Sequence, residues 1–304
     1  MRFLILMVLI ILLGFFASQR IYHPQLNHNS IADRIQHPFD TRLRYKIGTI
    51  DPRFNISEEK LKQVLQQAAD IWFMGTSKQY FVYDPNAQLT INLIYDQRQA
   101  ESEARRLELS HLEHRKSMTE TERQKLKQAE RALETEQRQI DLLKMNYQTR
   151  LNDYNQQVQR FNQSQNPSAS YRDYLETLKQ QLQNEQSNVQ HKIDEFNAYV
   201  VQLNQQVQNI NQMNDQFNAS VDHFNLRFQP RQFDKGVFNG REINIYEFQN
   251  LDDLKLTLAH ELGHGLGLLH SDDPESLMYP ILEKQDFKNF HLKAADIALL
   301  KAQK

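Results

Sequence analysis

The sequence contains no cysteine in its 304 residues. Disulfides are therefore excluded, and the compartment stays open, since a cysteine-free chain is compatible with either side of a membrane. An excess of basic charge is also missing: 36 Lys and Arg stand against 38 Asp and Glu, for a net charge of −2. That removes the electrostatic footprint of a nucleic-acid binder. Glycine is absent between Gly75 and Gly236, and Pro167 is the sole proline between Pro85 and Pro230. A long stretch without helix breakers, rich in Glu, Gln, Lys, Arg and Leu, favours long helices. The length allows one medium domain plus something else.

What the chain does have is a dense motif near its C-terminal end. His260-Glu261-Leu262-Gly263-His264-Gly265-Leu266-Gly267-Leu268-Leu269-His270 has the form H-E-x-x-H-x-x-G-x-x-H, and Met278-Tyr279-Pro280 follows. Residues four apart share a helix face, so His260 and His264 can offer two imidazoles to one metal ion. Gly267 can adopt backbone angles that other residues resist, ending the helix and bringing His270 round as a third ligand. Three neutral nitrogens with one open position is the donor set of catalytic zinc. Glu261, next to the first ligand, is placed as general base on a metal-activated water and later passes the proton to the leaving amine. Two histidines at i and i+4 recur by chance. The Glu, the Gly and the third His at fixed offsets make the signal specific. The competing reading is a polar helix with satisfied histidines, or a zinc fold that has lost activity.

The stretch resembles the metzincin metallopeptidases, and most of all the matrixin branch. His270-Ser271 and Leu277-Met278-Tyr279-Pro280 resemble the matrixin third ligand and Met-turn. The resemblance implies an α+β, zincin-like catalytic domain with one catalytic Zn2+ held by His260, His264 and His270. It implies Glu261 as the catalytic base and Met278 as the hydrophobic floor beneath the metal. Tyr279 follows Met278 directly, whereas the Met-turn tyrosine of astacins and serralysins comes two places after the methionine, so Tyr279 is not assigned as a ligand. Without cysteine there is no cysteine-switch propeptide. No His/Asp/Gly cluster matches the loops that carry structural zinc and calcium in matrixins, so structural calcium is not supported.

The chain divides by composition into five parts. Residues 1–20, with an almost wholly apolar run at 3–17 between Arg2 and Arg20, read as an N-terminal hydrophobic helix, either a signal peptide or a signal-anchor. The run is shorter than the ~20 residues of a comfortable span, and Phe15-Phe16-Ala17 makes a poor cleavage site. The protein is therefore expected to be exported. It is expected to be membrane-anchored and to face the extracytoplasmic side, or to be secreted if the segment is cleaved. Residues 21–39 read as a polar tether. Residues 40–96 give the first part of the catalytic domain: a strand at 43–47, a helix capped by Ser57 and ended by Gly75, and strands at 80–83 and 89–95. Leu61, Val64, Leu65, Ala68, Ile71 and Trp72 recur there at helical spacing.

Residues 97–228 are an insertion. In its second half Ile193, Val200, Val207, Asn214 and Val221 alternate with Phe196, Leu203, Ile210, Phe217 and Phe224 at coiled-coil spacing. In the first half Leu126, Ala129, Leu133, Ile140, Leu143 and Tyr147 continue a seam. Asn166-Pro167-Ser168 interrupts the run. The pattern predicts a long antiparallel α-helical coiled-coil hairpin, whose ends return together within the host domain. Two helices pairing in trans, giving self-association, is the alternative. The mixed charges read as solvated faces, and His111 and His114 as surface residues. Residues 229–304 complete the catalytic domain with an Asn239-Gly240 turn, a strand at 242–248, the motif helix capped by Asn250, the Met-turn and a final helix over 291–304. Ile281 and Leu282 are candidates for the pocket beside the cleaved bond.

Two functions follow. One is a zinc endopeptidase acting on protein or peptide substrates, with the coiled coil as spacer, substrate selector or partner arm. The other is a catalytically silent coiled-coil scaffold on a retained zincin fold. A scaffold has no need of Glu261.

Overall fold

The computed structural model describes residues 2–166 and 168–302, and for residues 2–6, 8–10 and 12 it describes the helix without the side chains. Pro167, at the expected break, lies outside the described residues, as do those side chains of the apolar run. The chain divides into two compact units, Met1–Leu107 with Pro230–Lys304, and Glu108–Gln229.

The first unit begins with α1, Arg2–Tyr22. Among the described residues no helix is long and apolar enough to cross a membrane. The segment that follows, expected to be a tether, is partly built into the unit. A 3-10 turn at Pro24–His28 and a short helix α2, Ile31–Gln36, bury Gln25, Leu26, Asn29 and Asp33. Asn29 docks it: the side-chain amide donates to the Arg42 carbonyl at 2.8 Å, and its oxygen accepts the Arg44 N–H at 2.9 Å. A polar segment can thus seat itself through amide groups on a strand's backbone, which a reading of polarity alone misses.

The core elements are β1, Leu43–Ile50, then α3, Glu58–Thr76, β2, Phe81–Tyr83, and β3, Leu89–Leu93. The Ser57 hydroxyl caps α3 by accepting the Lys60 N–H. The helix does not stop at Gly75. It runs through Thr76 and ends at Ser77, whose φ of 57° is left-handed. Gly75 has a packing role instead: a Cβ there would stand 2.6 Å from Leu292 Cδ1. After the insertion come β4, Gly236–Phe238, and β5, Glu242–Ile245. Two helices close the unit: the one carrying the motif, Leu251–Gly265, and a last one, Ala294–Ala302. With the insertion helices α4, Gln97–Gln163, and α5, Ala169–Arg227, these are α6 and α7.

The strands make a mixed sheet in the order β2-β1-β3-β5-β4. All neighbours are parallel except β4, which runs antiparallel to β5 and forms one edge. The class is therefore mixed α/β, more parallel than the α+β expectation implied. Helix α3 packs on β1 and α6, and α6 packs on β4 and β5. Between them lie Leu65, Trp72, Ile91, Ile243, Ile245, Leu254, Leu258 and Leu262, all fully buried. The Trp72 indole N–H donates to the Ala259 carbonyl at 2.9 Å, tying α3 to the residue before His260.

The buried Arg44 guanidinium on β1 bridges Asp40 at 2.7 Å and Asp84 at 2.8 Å. Burial pushes the Asp40 carboxyl up, but hydrogen bonds and charge from Arg42 and Arg44 outweigh it and hold the group below its ordinary value. The Asn86 N–H, helped by Arg44, holds Asp84 down as well. Both folded-state values lie below the unfolded value of about 4, so this stabilisation is complete above it and is lost as pH falls through the folded values. Thermal melting from pH 7 to pH 3 is expected to show a steep loss below about pH 4, shallower in Arg44→Met, which also melts lower at neutral pH. Parallel curves for the two proteins would refute the assignment.

In the second unit α4 and α5 run antiparallel. Arg115 meets Ser220, Arg123 meets Asn214, Glu136 meets Lys192 and Arg150 meets Glu185, so the two numbers move in opposite directions along the pair. That is the geometry of a hairpin. All ten seam residues predicted on α5 are buried or half-buried. On α4, Leu126, Ala129, Leu133, Ile140 and Tyr147 follow suit, but Leu143 is exposed. The stripe passes from Ile140 to Tyr147 and Leu151, leaving Leu143 on its flank.

Candidate metal centre

Helix α6 is set by its caps. The Asn250 side chain accepts the N–H groups of Asp252 and Asp253. At the other end the Gly267 N–H reaches the His264 carbonyl and the Leu268 N–H reaches the Gly263 carbonyl, a pair of bonds that closes the helix with Gly267 at φ 91°. This turn returns the chain to the helix face. His260, His264 and His270 each bring one ring nitrogen to within 4.8 Å of the others. Among the described residues no other group of three His, Cys, Asp or Glu side chains is so arranged.

The rings are oriented from behind. His260 Nδ1 lies 2.7 Å from the Leu277 carbonyl and His264 Nδ1 lies 2.8 Å from the Leu268 carbonyl. A carbonyl can only accept, so both Nδ1 atoms carry the proton and both Nε2 atoms present lone pairs. Those two Nε2 atoms are 3.1 Å apart. Two lone pairs converging at that distance are placed to share a cation. Burial lowers His260 to about 4 and lowers His264 as well, which favours the neutral, ligating forms of both rings. The donor set therefore fits a metal ion, with backbone carbonyls fixing tautomer and orientation as is usual behind metal-bound histidines.

Glu261 is buried beside this cluster. Its Oε2 has no hydrogen-bond partner. Burial raises its carboxyl to about 7; the Phe238 N–H opposes the shift and the Asp234 charge adds to it. The histidines and Glu261 line one cavity of about 980 Å³, whose walls also include β4, Thr257, Pro280, Ile281, Leu282 and Phe287. Met278 is fully buried under the helix. A Cβ on Gly263 would collide with Met278 Sδ and stand 2.8 Å from Trp72 Cζ2, so a glycine is required where helix, methionine and tryptophan meet. All five residues singled out by the motif are thus gathered in one place.

Other residues that shape the site carry no local signal. Asp296 on α7 is completely buried. Its carboxylate accepts the Ser276 hydroxyl, the Leu277 N–H at 3.1 Å, the Met278 N–H at 3.0 Å and the Lys293 N–H at 2.9 Å. It fixes the turn whose Leu277 carbonyl holds His260 and whose Met278 carbonyl accepts the Ser271 N–H, next to His270. Gly236 is needed because a Cβ there would lie 2.9 Å from Glu261 Oε1. The first turns of α4 brace the approach to α6: Ser102 donates to Glu247 at 2.6 Å and Gln99 accepts the Phe248 N–H at 3.0 Å.

Fold and site together define a mixed α/β protein with a three-histidine centre able to hold a metal ion beside a buried carboxylate. The Matrixin family model matches residues 37–302, and the chain belongs to that family. It is 58% identical over 39 residues to matrilysin of Felis catus, a stretch covering 13% of this chain and 15% of that protein. It is 51% identical over 45 residues to macrophage metalloelastase of Oryctolagus cuniculus, covering 15% and 10%. With stromelysin-1 of Rattus norvegicus it shares 50% identity over 46 residues, again covering 15% and 10%. These matches span no more than 15% of the relatives' own length.

Proposed function

We propose that the protein is a zinc-dependent endopeptidase that hydrolyses peptide bonds in protein substrates, with His260, His264 and His270 as ligands and Glu261 as general base. One observation carries the reading: the unpartnered Oε2 of a buried Glu261 in the same cavity as the converging histidine nitrogens. A buried carboxylate oxygen left unpaired costs stability. A scaffold would gain by losing it, whereas hydrolysis requires a base at that place.

A bound Zn2+ supplies Lewis acidity toward the carbonyl and makes water more acidic. The chain's own groups do the rest. The edge strand β4 pairs with an extended peptide through its backbone, because its outer side has no sheet neighbour. Ile281 and Leu282 form an apolar wall beside the cleaved bond. Glu261 Oε2 accepts a proton from the attacking water and delivers it to the leaving nitrogen. A carboxyl that burial raises to about 7 can both take up and give up a proton near neutral pH, and a cation held by the histidines shifts the balance toward the ionised form. Met278 packs beneath the ligands. The zincin arrangement of the domain, the export of the protein through its apolar N-terminal segment with or without an anchor, and a targeting role for the helical hairpin, built as a coiled coil, belong to the same proposal.

Metal analysis with proteolysis tests the reading. The chain is expected to hold one zinc and to cleave an unstructured protein. Chelation should abolish cleavage and lower the melting temperature, and added zinc should restore both. A zinc-free chain, or cleavage that survives chelation, would refute it.

A further inference from the structure

The N-terminal part of the first unit leaves a connected apolar surface open. On α2, Asp33 is buried against the unit, which turns Ile31 and Ile35, four residues apart, to the outside. They are 77% and 65% exposed, and Phe39 just beyond them is 84% exposed. On α1, Met7, Ile11 and Leu13 are open as well. Lone exposed apolar residues are ordinary, but these fall on two adjoining helices. The helices are fastened to each other. Arg34 donates to the Phe16 carbonyl at 3.1 Å, Gln19 donates to the Pro38 carbonyl at 2.6 Å, and the Phe15 and Phe39 rings meet edge to face at 5.9 Å. A medium that covers the end of α1 therefore reaches Phe39 and α2. The charge at this place is one-sided. Arg20 is close enough that its charge adds to burial in lowering the Arg34 pKa. Arg20 bonds Asn27 and Arg34 bonds the Phe16 carbonyl, and among the described residues no carboxylate pairs with either. The acids of the segment are engaged elsewhere: Asp33 in a capping box with Ser30, and Asp40 on Arg42 and Arg44.

We propose that α2 and Phe39 form a docking surface for an anionic lipid bilayer, with Ile31, Ile35 and Phe39 entering the boundary between headgroups and acyl chains while Arg20 and Arg34 meet lipid phosphates. A helix lying in that boundary combines buried apolar side chains with cations at their polar edge. Lipid is favoured over a protein partner because the face continues into the apolar run of α1, which needs an apolar medium along its length. An isologous contact between two copies would bring arginine toward arginine with no acid between them. Gln25 and Asn29 seat the segment on the Thr41 and Arg42 carbonyls at the start of β1, so the contact holds the metal-bearing unit itself at the membrane surface. It goes beyond the endopeptidase reading and does not depend on it.

The absence of cysteine makes each introduced cysteine the sole labelling site. Full-length chain carrying Ile31→Cys, Ile35→Cys, Phe39→Cys or, as control, Glu59→Cys is labelled with an environment-sensitive fluorophore. Glu59 is exposed at the start of α3, which follows the far end of β1 from Asn29. Each is incorporated in phosphatidylcholine vesicles with and without phosphatidylglycerol. Labels at 31, 35 and 39 are expected to shift to the blue and to be quenched by a spin-labelled lipid, and the label at 59 to do neither. Arg20→Gln with Arg34→Gln should weaken the preference for anionic vesicles, about fivefold for each charge. Ile31→Asp with Ile35→Asp should return the label at 39 to water while α1 keeps the chain on the vesicle. Labels at 31 and 35 that stay in water on both kinds of vesicle overturn the proposal and leave the face to a protein partner. Contact that is equal on neutral and anionic lipid overturns it as well. So does a blue shift without lipid that grows with protein concentration, which assigns the face to a second copy.

Discussion

Glu261→Gln is expected to lower the rate of peptide hydrolysis by about 10²–10⁴-fold while leaving zinc content unchanged. The amide keeps the shape of the carboxyl but cannot accept a proton from water. Metal content should hold because the three donor nitrogens and the carbonyls behind them do not involve residue 261. The folded state should be at least as stable as the wild type, since an ionisable group with an unpaired buried oxygen is replaced by a neutral one. Loss of activity without loss of metal or stability separates a chemical role from a structural one. Wild-type hydrolysis by the variant would put the base elsewhere, and a fall in zinc content would make Glu261 part of the metal's support.

The motif was legible because each of its parts obeys local geometry. The helix period places His260 and His264 on one face, and a glycine at 267 supplies the φ of 91° that brings His270 back. The alternation of β1 and β3 and the capped periodicity of α3 were readable for the same reason. Contacts made across the chain were not. Gly75 looks like a helix stop, but its smallness serves Leu292, more than two hundred residues away. Gly236 shows in the sequence only as the end of the glycine-free stretch, yet its missing side chain makes room for Glu261. The polar segment after Tyr22 gives no periodic signal, because it docks through Gln25 and Asn29 amides instead of an apolar face. Leu143 fits the second heptad position, three after Ile140, but the buried stripe continues one heptad on to Tyr147 and then to Leu151, leaving Leu143 exposed. Asp296 sits at the third position of a helix, where an acidic residue is ordinary, so its reach to the Met-turn was hidden.

That reach gives the second large effect. Asp296→Ala is expected to cost about 3–5 kcal/mol and to weaken zinc binding about 10–100-fold, although residue 296 is not a proposed ligand. Removing the carboxylate leaves the Leu277 and Lys293 N–H groups without the acceptor they use, and the turn that orients His260 loses its anchor. Asp296→Asn should be milder, about 1–2 kcal/mol. Its one oxygen can keep Leu277 and Lys293, and the Ser276 hydroxyl can rotate to accept from the new amide. The Met278 N–H retains the Ser276 oxygen at 3.1 Å. Chemical denaturation with zinc present and absent separates the two contributions. If the turn positions His260, the gap between wild type and Asp296→Ala widens when zinc is added, because the variant gains less from the metal. An equal gap in both conditions would confine Asp296 to holding α7 against the turn and would leave the orientation of His260 to the helix alone.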